Sequence, residues 1–280
     1  QNKLEAAKIT FQQMNTLLHN NIQTYLEYAL DYAHSGFYEE AIQLIKVYAD
    51  GKQEIFPMAY YYIGWCYVCL DANEKAKKYF YLASCMKPDY CFPNRVEEII
   101  ILQKVIAYNP SDAKANYYLG NLWYDKRQYK EAIKCWERSA QLDGTFSTVF
   151  RNLSLAYYNK QHDAKKALQC LKKAFALNTS DARILMELDQ LYRIQNKSPE
   201  RRLELLEKYL SLVESRDDLY LERITLYNQL EGYEKAKQLL SVRKFHPWEG
   251  GEGKTVRQYL ICHIELAKQA LLNNDFQQAL

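Results

Sequence analysis

The chain has 280 residues, 48% of them hydrophobic and 25% charged, and its 37 Lys and Arg against 34 Asp and Glu leave a net charge of +3. That composition describes a folded chain, too nearly neutral overall to mark a nucleic-acid binder, and no apolar run approaches the roughly 18 residues of a membrane span. Only nine Gly and six Pro are present, too few for a turn-rich sandwich or barrel, so the expected class is all-α. Seven cysteines, an odd count spread over apolar helical positions, read as buried thiols and not as a disulfide framework. The start at Gln1 suggests a longer parent. No signal pattern is visible in the segment, and a cytoplasmic setting is the expectation.

In chain order, the elements follow a ruler of about 34 residues in which two small residues stand twelve apart. Ala7, Phe11 and Met14 fill the slots of a second helix (1–20) whose partner would precede Gln1. Ala29 with Ala41 marks a helical hairpin at 22–56, and Gly64 with Ala76 marks the next at 57–90. Residues 91–112 carry a second-helix pattern with no first helix, so an unpaired extra helix is predicted there. Gly120 with Ala132 defines 113–146, and Ser154 with Ala167, one residue further apart, defines 147–181. In 182–216 the small pair is replaced by Asp189 and Arg202, which predicts a buried or half-buried ion pair. Ile224 with Ala236 gives 217–245, an inserted loop occupies 246–254, and Ala267 with Ala279 gives a truncated repeat at 255–280. The small residues let two antiparallel helices approach, while Tyr32, Tyr67, Tyr157, Tyr192 and Tyr227, each three places after the first small site, fill space beside them.

Tyr60, Ile63, Gly64, Tyr67, Ala76, Phe80, Ala83 and Pro88, and then Leu119, Gly120, Trp123, Ala132, Trp136 and Ser139, resemble the tetratricopeptide repeat in spacing. The resemblance implies a right-handed superhelix, an α-solenoid of antiparallel helix pairs, whose concave face is lined by first helices and holds extended peptides. Projected onto that face, Lys114, Tyr117, Asn121 and Tyr124 are followed by Arg151, Asn152, Leu155 and Tyr158, then Arg183, Met186, Gln190 and Arg193. Three arginines beside a stripe of tyrosines suit an acidic protein or peptide partner. Asn121 and Asn152 would fit a chaperone-type carboxylate clamp, but Tyr117 stands where its first lysine is expected, so that function is not carried over. Residues 88–256 also resemble, in patches, bacterial chains in which a β-rich domain precedes the repeats, which implies a β-rich partner domain in the same parent chain.

The string HPWEGGEGKTVRQY, starting at His246, resembles a phosphate-binding loop at Gly253, Lys254 and Thr255. Trp248 occupies the place of the leading glycine, and the preceding stretch has helical spacing instead of a strand, so nucleotide binding is not expected. The loop is better read as an insertion nine residues longer than the ruler allows. Pro247 would stop the preceding helix, and Trp248 would anchor on adjoining helices. His246, Trp248, Glu249 and Glu252 form its candidate interdomain surface. No catalytic, metal or cofactor site is expected. The five histidines are scattered, and Cys66-x-x-Cys69 has no second pair to complete four ligands. The favoured function is a non-enzymatic scaffold for protein–protein or interdomain interaction. The alternative is an accessory region of a carbohydrate-active enzyme, with the loop carboxylates reaching a sugar held by the β-rich domain.

Overall fold

The computed structural model describes residues 2–18, 21–49, 55–248 and 250–273. The expected second-helix side chains of Ala7 and Phe11, together with Glu249 and Ala279, lie outside what is described. Among the described residues every regular element is an α-helix, and the chain divides into two compact units, 1–145 and 146–280.

The first unit contains α1 (Asn2–Leu17), α2 (Ile22–His34), α3 (Tyr38–Ala49), α4 (Pro57–Cys69), α5 (Asn73–Cys85), α6 (Glu97–Tyr108), α7 (Ala113–Asp125) and α8 (Tyr129–Leu142). α2 pairs with α3, α4 with α5, and α7 with α8, in antiparallel hairpins. The second contains α9 (Ser147–Gln161), α10 (Ala164–Leu177), α11 (Ala182–Ile194), α12 (Pro199–Lys208), α13 (Leu210–Glu214), α14 (Asp217–Gln229), α15 (Tyr233–Val242) and α16 (Lys254–Leu272). Here α9 pairs with α10 and α14 with α15, while α12 and α13 together oppose α11. The helix expected after Arg202 is thus broken at Tyr209, whose ring meets Phe175 edge-on at 4.9 Å.

The hairpins close on their small residues. A Cβ added at Gly64 would lie 2.4 Å from Phe80, and one at Gly120 would lie 2.5 Å from Trp136. Ala29, Ala41, Ala76, Ala132, Ala167, Ile224 and Ala236 are all buried at the corresponding contacts.

The turns also share a backbone form that composition does not reveal. Gly36, Asp71, Arg127, His162, Asn196 and Glu231 all have positive φ, between 53° and 82°, each between the two helices of a pair. In each turn an N–H just beyond that residue bonds back to a carbonyl near the end of the first helix: Tyr32, Tyr67, Trp123, Tyr157, Tyr192 or Tyr227. This is a left-handed helix stop, and glycine occupies it only once. The tyrosines predicted as core therefore also mark the stop. Tyr157 and Tyr192 are buried; Tyr32, Tyr67 and Tyr227 are half-buried.

α6 has no first helix of its own. Residues 91–95 form no regular element in its place, and Cys91 and Pro93 are buried. Glu98 is fully buried, not a solvated helix-start carboxylate as its position suggests. Its oxygens accept from Tyr62 Oη at 3.0 Å and from the backbone N–H groups of Asn94 and Arg95 at 2.7 and 2.9 Å. Arg95 then reaches α2, donating to the side chain and carbonyl of Gln23 at 2.8 and 3.0 Å. Asp112 caps α7, accepting from Ala115 N at 2.8 Å and from Tyr61 Oη at 2.8 Å.

Gly120→Ala should lower stability by about 1–3 kcal/mol, because the new methyl meets a ring that fills its site. Thermal unfolding followed by circular dichroism should show the drop. In a Trp136→Leu background the same change should cost much less.

Candidate functional site

The predicted peptide-binding residues fall in both units, on α7 in the first and on α9 and α11 in the second. In the first unit, Lys114 donates to the carbonyls of Ser84 and Met86, at 2.8 and 2.5 Å, so its ammonium closes the C-terminal end of α5 instead of facing a ligand. Tyr117 is only 6% exposed, Asn121 accepts from Trp136 Nε1 at 3.0 Å, and the Tyr124 ring lies against Tyr129 and Trp136. These side chains support the hairpin.

In the second unit the arginines already have carboxylate partners. Arg151 forms a two-pronged pair with Glu187, with Nε 2.8 Å from Oε2, and both groups are largely buried. Arg183 approaches the same carboxylate at 3.4 Å while remaining 63% exposed. The expected pair is present one layer on: Arg202 meets Asp189 at 2.9 and 2.7 Å, both side chains 3% exposed, and also donates to Glu222 at 2.5 Å. Arg193 lies 3.6 Å from Glu222 and is 57% exposed. Glu187 and Glu222 therefore each have one close, buried arginine and one loose, exposed one. Burial pushes the Asp189 carboxyl up, and the Arg202 hydrogen bonds pull it back toward ionisation. Asn152, Leu155 and Tyr158 are half-buried on α9.

Met186, Gln190 and Arg193 line an open groove of about 740 Å³ between α11, α14 and α16. Trp248 lines it as well, so the structure joins part of the predicted face to the inserted loop. The remaining walls come from residues that sequence reading did not select: Asp218, Leu219, Leu221, Glu222, Asn228, Lys254, Arg257, Gln258 and Ile261 among them. Their signal was present in part, since Glu222 and Asn228 flank the small site Ile224 on a first helix. What singles them out is contact between hairpins, which one hairpin's spacing does not contain.

The loop begins earlier than predicted. α15 ends at Val242, five residues before Pro247, so the proline does not stop that helix. The chain turns there because Arg243 and His246 attach to Asp217 at the start of α14. Arg243 Nε donates to Asp217 Oδ1 at 2.7 Å, and His246 N donates to Oδ2 at 2.9 Å. Burial alone would raise the Asp217 carboxyl, but these donors hold it below the usual range. Trp248 is half-buried against its own loop and does not anchor deep between helices. Its ring lies 6.4 Å from that of Phe245 and covers Gly251, where a Cβ would come within 2.3 Å of it. Glu252 accepts from Gly250 N at 3.3 Å. The second carboxylate of the loop, Glu249, lies outside the described residues.

Among the described residues no group of three or more His, Cys, Asp and Glu side chains is placed to hold a metal ion, and no helix is long and apolar enough to cross a membrane. Cys66, Cys91 and Cys262 are buried, as expected, but Cys69 and Cys85 are exposed. Burial pushes the Cys66 thiol up to about 12 and also raises Cys69, the opposite of an activated Cys-x-x-Cys.

Arg202→Met should destabilise the chain by about 3–5 kcal/mol, because it leaves Asp189 buried and unpaired, whereas Asp189→Leu with Arg202→Met should cost well under the sum of the single changes. Denaturant unfolding of the three variants tests this. The depressed Asp217 pKa gives stabilisation that is complete above the ordinary carboxylate range and is lost as pH falls through the folded-state value. Hydrogen exchange of residues 243–253 should therefore quicken on acidification below that range. In Asp217→Asn it should be fast at neutral pH, by about tenfold, and insensitive to acid.

Residues 113–146, the α7–α8 hairpin, match the family model described as tetratricopeptide repeat. Solved structures similar to the chain include pilF of Pseudomonas aeruginosa, at 22% identity over 80% of this chain and 86% of that one, with a TM-score of 0.46. The C-terminal part of a TPR repeat-containing protein of Cytophaga hutchinsonii is 19% identical over 91% of each chain, with a TM-score of 0.45. MamA of Desulfovibrio magneticus is 19% identical over 70% of this chain and 96% of its own, with a TM-score of 0.39. The family match thus covers the hairpin at 113–146, and the hairpin at 57–90 shares its glycine–ring contact and its left-handed stop.

Proposed function

We propose that the chain is a non-enzymatic scaffold that holds a segment of another protein, or of a companion domain, in the groove between α11, α14 and α16. The observation that carries this reading is the convergence of Met186, Gln190 and Arg193 from a repeat face with Trp248 from a loop that the repeat does not require. The groove mixes apolar wall (Met186, Leu219, Leu221, Ile261) with polar and charged rim, which suits an extended segment with alternating side chains. Grooves built by stacking repeats need no chemistry of their own, only register between successive hairpins. The groove residues of α7 and α9 take a supporting part in this reading, because Lys114, Asn121 and Arg151 already have structural partners.

A β-rich domain in the same parent chain is the intramolecular form of this proposal, with the 243–253 loop as its contact. A cytoplasmic setting suits a chain in which no disulfide is formed among the described residues.

A photo-crosslinking amino acid in place of exposed Gln190 tests the reading in cells carrying the full parent chain. One discrete protein or intrachain adduct is expected from position 190 and none from exposed Lys172 on α10. The crosslinked segment, synthesised alone, should bind the chain with a measurable Kd. Equal adducts from both positions, or a segment that does not bind, would overturn the proposal.

A further inference from the structure

We infer that the occupant of this groove is an extended segment with acidic side chains in mid-chain, read on one wall by Arg193 and on the other by Lys254 and Arg257. The inference rests on the scaffold reading above and adds the chemistry of the partner.

Charge is the first ground. Asp189, Asp218 and Glu222 are the acidic groups on the groove among the described residues, and each is already paired, with Arg202, Arg216 or both Arg202 and Arg193. Lys254 and Arg257 are exposed, and neither forms an ion pair among the described residues. The lining thus carries three positive groups, Arg193, Lys254 and Arg257, against three acidic ones, and the acidic ones are all paired while Lys254 and Arg257 are not paired among the described residues. Arg193 is held only loosely, by a carboxylate that Arg202 neutralises more closely. An incoming carboxylate can therefore recruit it without leaving Glu222 unpaired.

Geometry supplies the second ground. Lys254 and Arg257 are three apart in the first turn of α16 and share a face. The N-cap residue of that helix, Gly253, has φ +70° and no side chain to satisfy the first N–H groups, so the positive end of the helix adds to the same wall. Beneath the groove surface Asn228 is 6% exposed, and its amide is fixed in orientation because Nδ2 donates to the Gln258 carbonyl at 3.1 Å and to Gln258 Oε1 at 3.0 Å. Its Oδ1 has no partner among the described residues.

The cations stand on two different helices, Arg193 on α11 and Lys254 and Arg257 on α16. Several acidic side chains along a segment engage both sets, which separates this site from a clamp on a single chain terminus. Trp248 offers the segment an aromatic wall.

Fluorescence anisotropy with three labelled peptides tests the inference: an end-blocked peptide alternating Glu or Asp with Leu, its Gln and Asn counterpart, and that neutral peptide with a free C-terminal carboxylate. The acidic peptide should bind, weaken as salt rises, and exceed both others by tenfold or more. Lys254→Ala with Arg257→Ala should reduce its affinity by at least tenfold while circular dichroism and thermal unfolding stay unchanged; Arg193→Ala alone should give a smaller loss. Equal binding of the neutral peptide, equal binding through a free terminus, or an unaffected double variant would overturn the inference. If no peptide binds but position 190 still gives its discrete adduct and that segment binds alone, the acidic chemistry is wrong and the scaffold reading stands. Failure at position 190 as well removes both.

Discussion

The close approach of two helices at a small residue is the contact on which the other features depend. Gly64 beneath Phe80 and Gly120 beneath Trp136 bring the helix axes near enough for an aromatic side chain of the second helix to lie on the backbone of the first. That contact fixes the rotation of each helix about its axis. The faces turned toward the next hairpin, and those left open, then follow. The left-handed turn residue sets the same geometry from the loop side, at a cost of about 1–2 kcal/mol where it is not glycine. Asp71, Arg127, His162, Asn196 and Glu231 all accept that conformation because the packed hairpin determines it more strongly than their own preference does.

Once the first helices are oriented, polar groups on their open faces meet across hairpins, and this produces the charge ladder of the second unit. Glu187 and Glu222 each hold two arginines, one buried and close, one exposed and loose. The buried pairs tie one hairpin to another, while the exposed arginines keep part of their field for solvent or a partner. Asp189 and Arg202 show how the repeat tolerates this exchange. Where two small residues would bring helices together, a two-pronged ion pair spans them, and Tyr209 interrupts the opposing helix just beyond.

The site was legible in fragments. Met186, Gln190 and Arg193 follow from helical spacing, and Trp248 from the excess length of its loop. Their meeting did not follow, because it depends on how α11, α14 and α16 stack and on Asp217 drawing Arg243 and His246 back to the start of α14. Lys114 shows the converse case. Its position suggests a ligand contact, yet the carbonyls at the end of α5 lie within its reach and take its charge. A lysine side chain is long enough to serve either role, and only the neighbouring hairpin decides which.

By itself, the sequence determined the class of fold and the repeat, because small residues at a fixed offset are a local property that one hairpin needs in order to close. It also located the Asp189–Arg202 exception and the excess loop, since both break that offset. The tertiary structure decided which charged groups are structural and which remain open. It buried Glu98 under Tyr62, gave Arg151 to Glu187, and left Lys254 and Arg257 facing a groove. Those outcomes depend on distances between residues of different hairpins, and such distances are set by stacking and not by spacing along the chain.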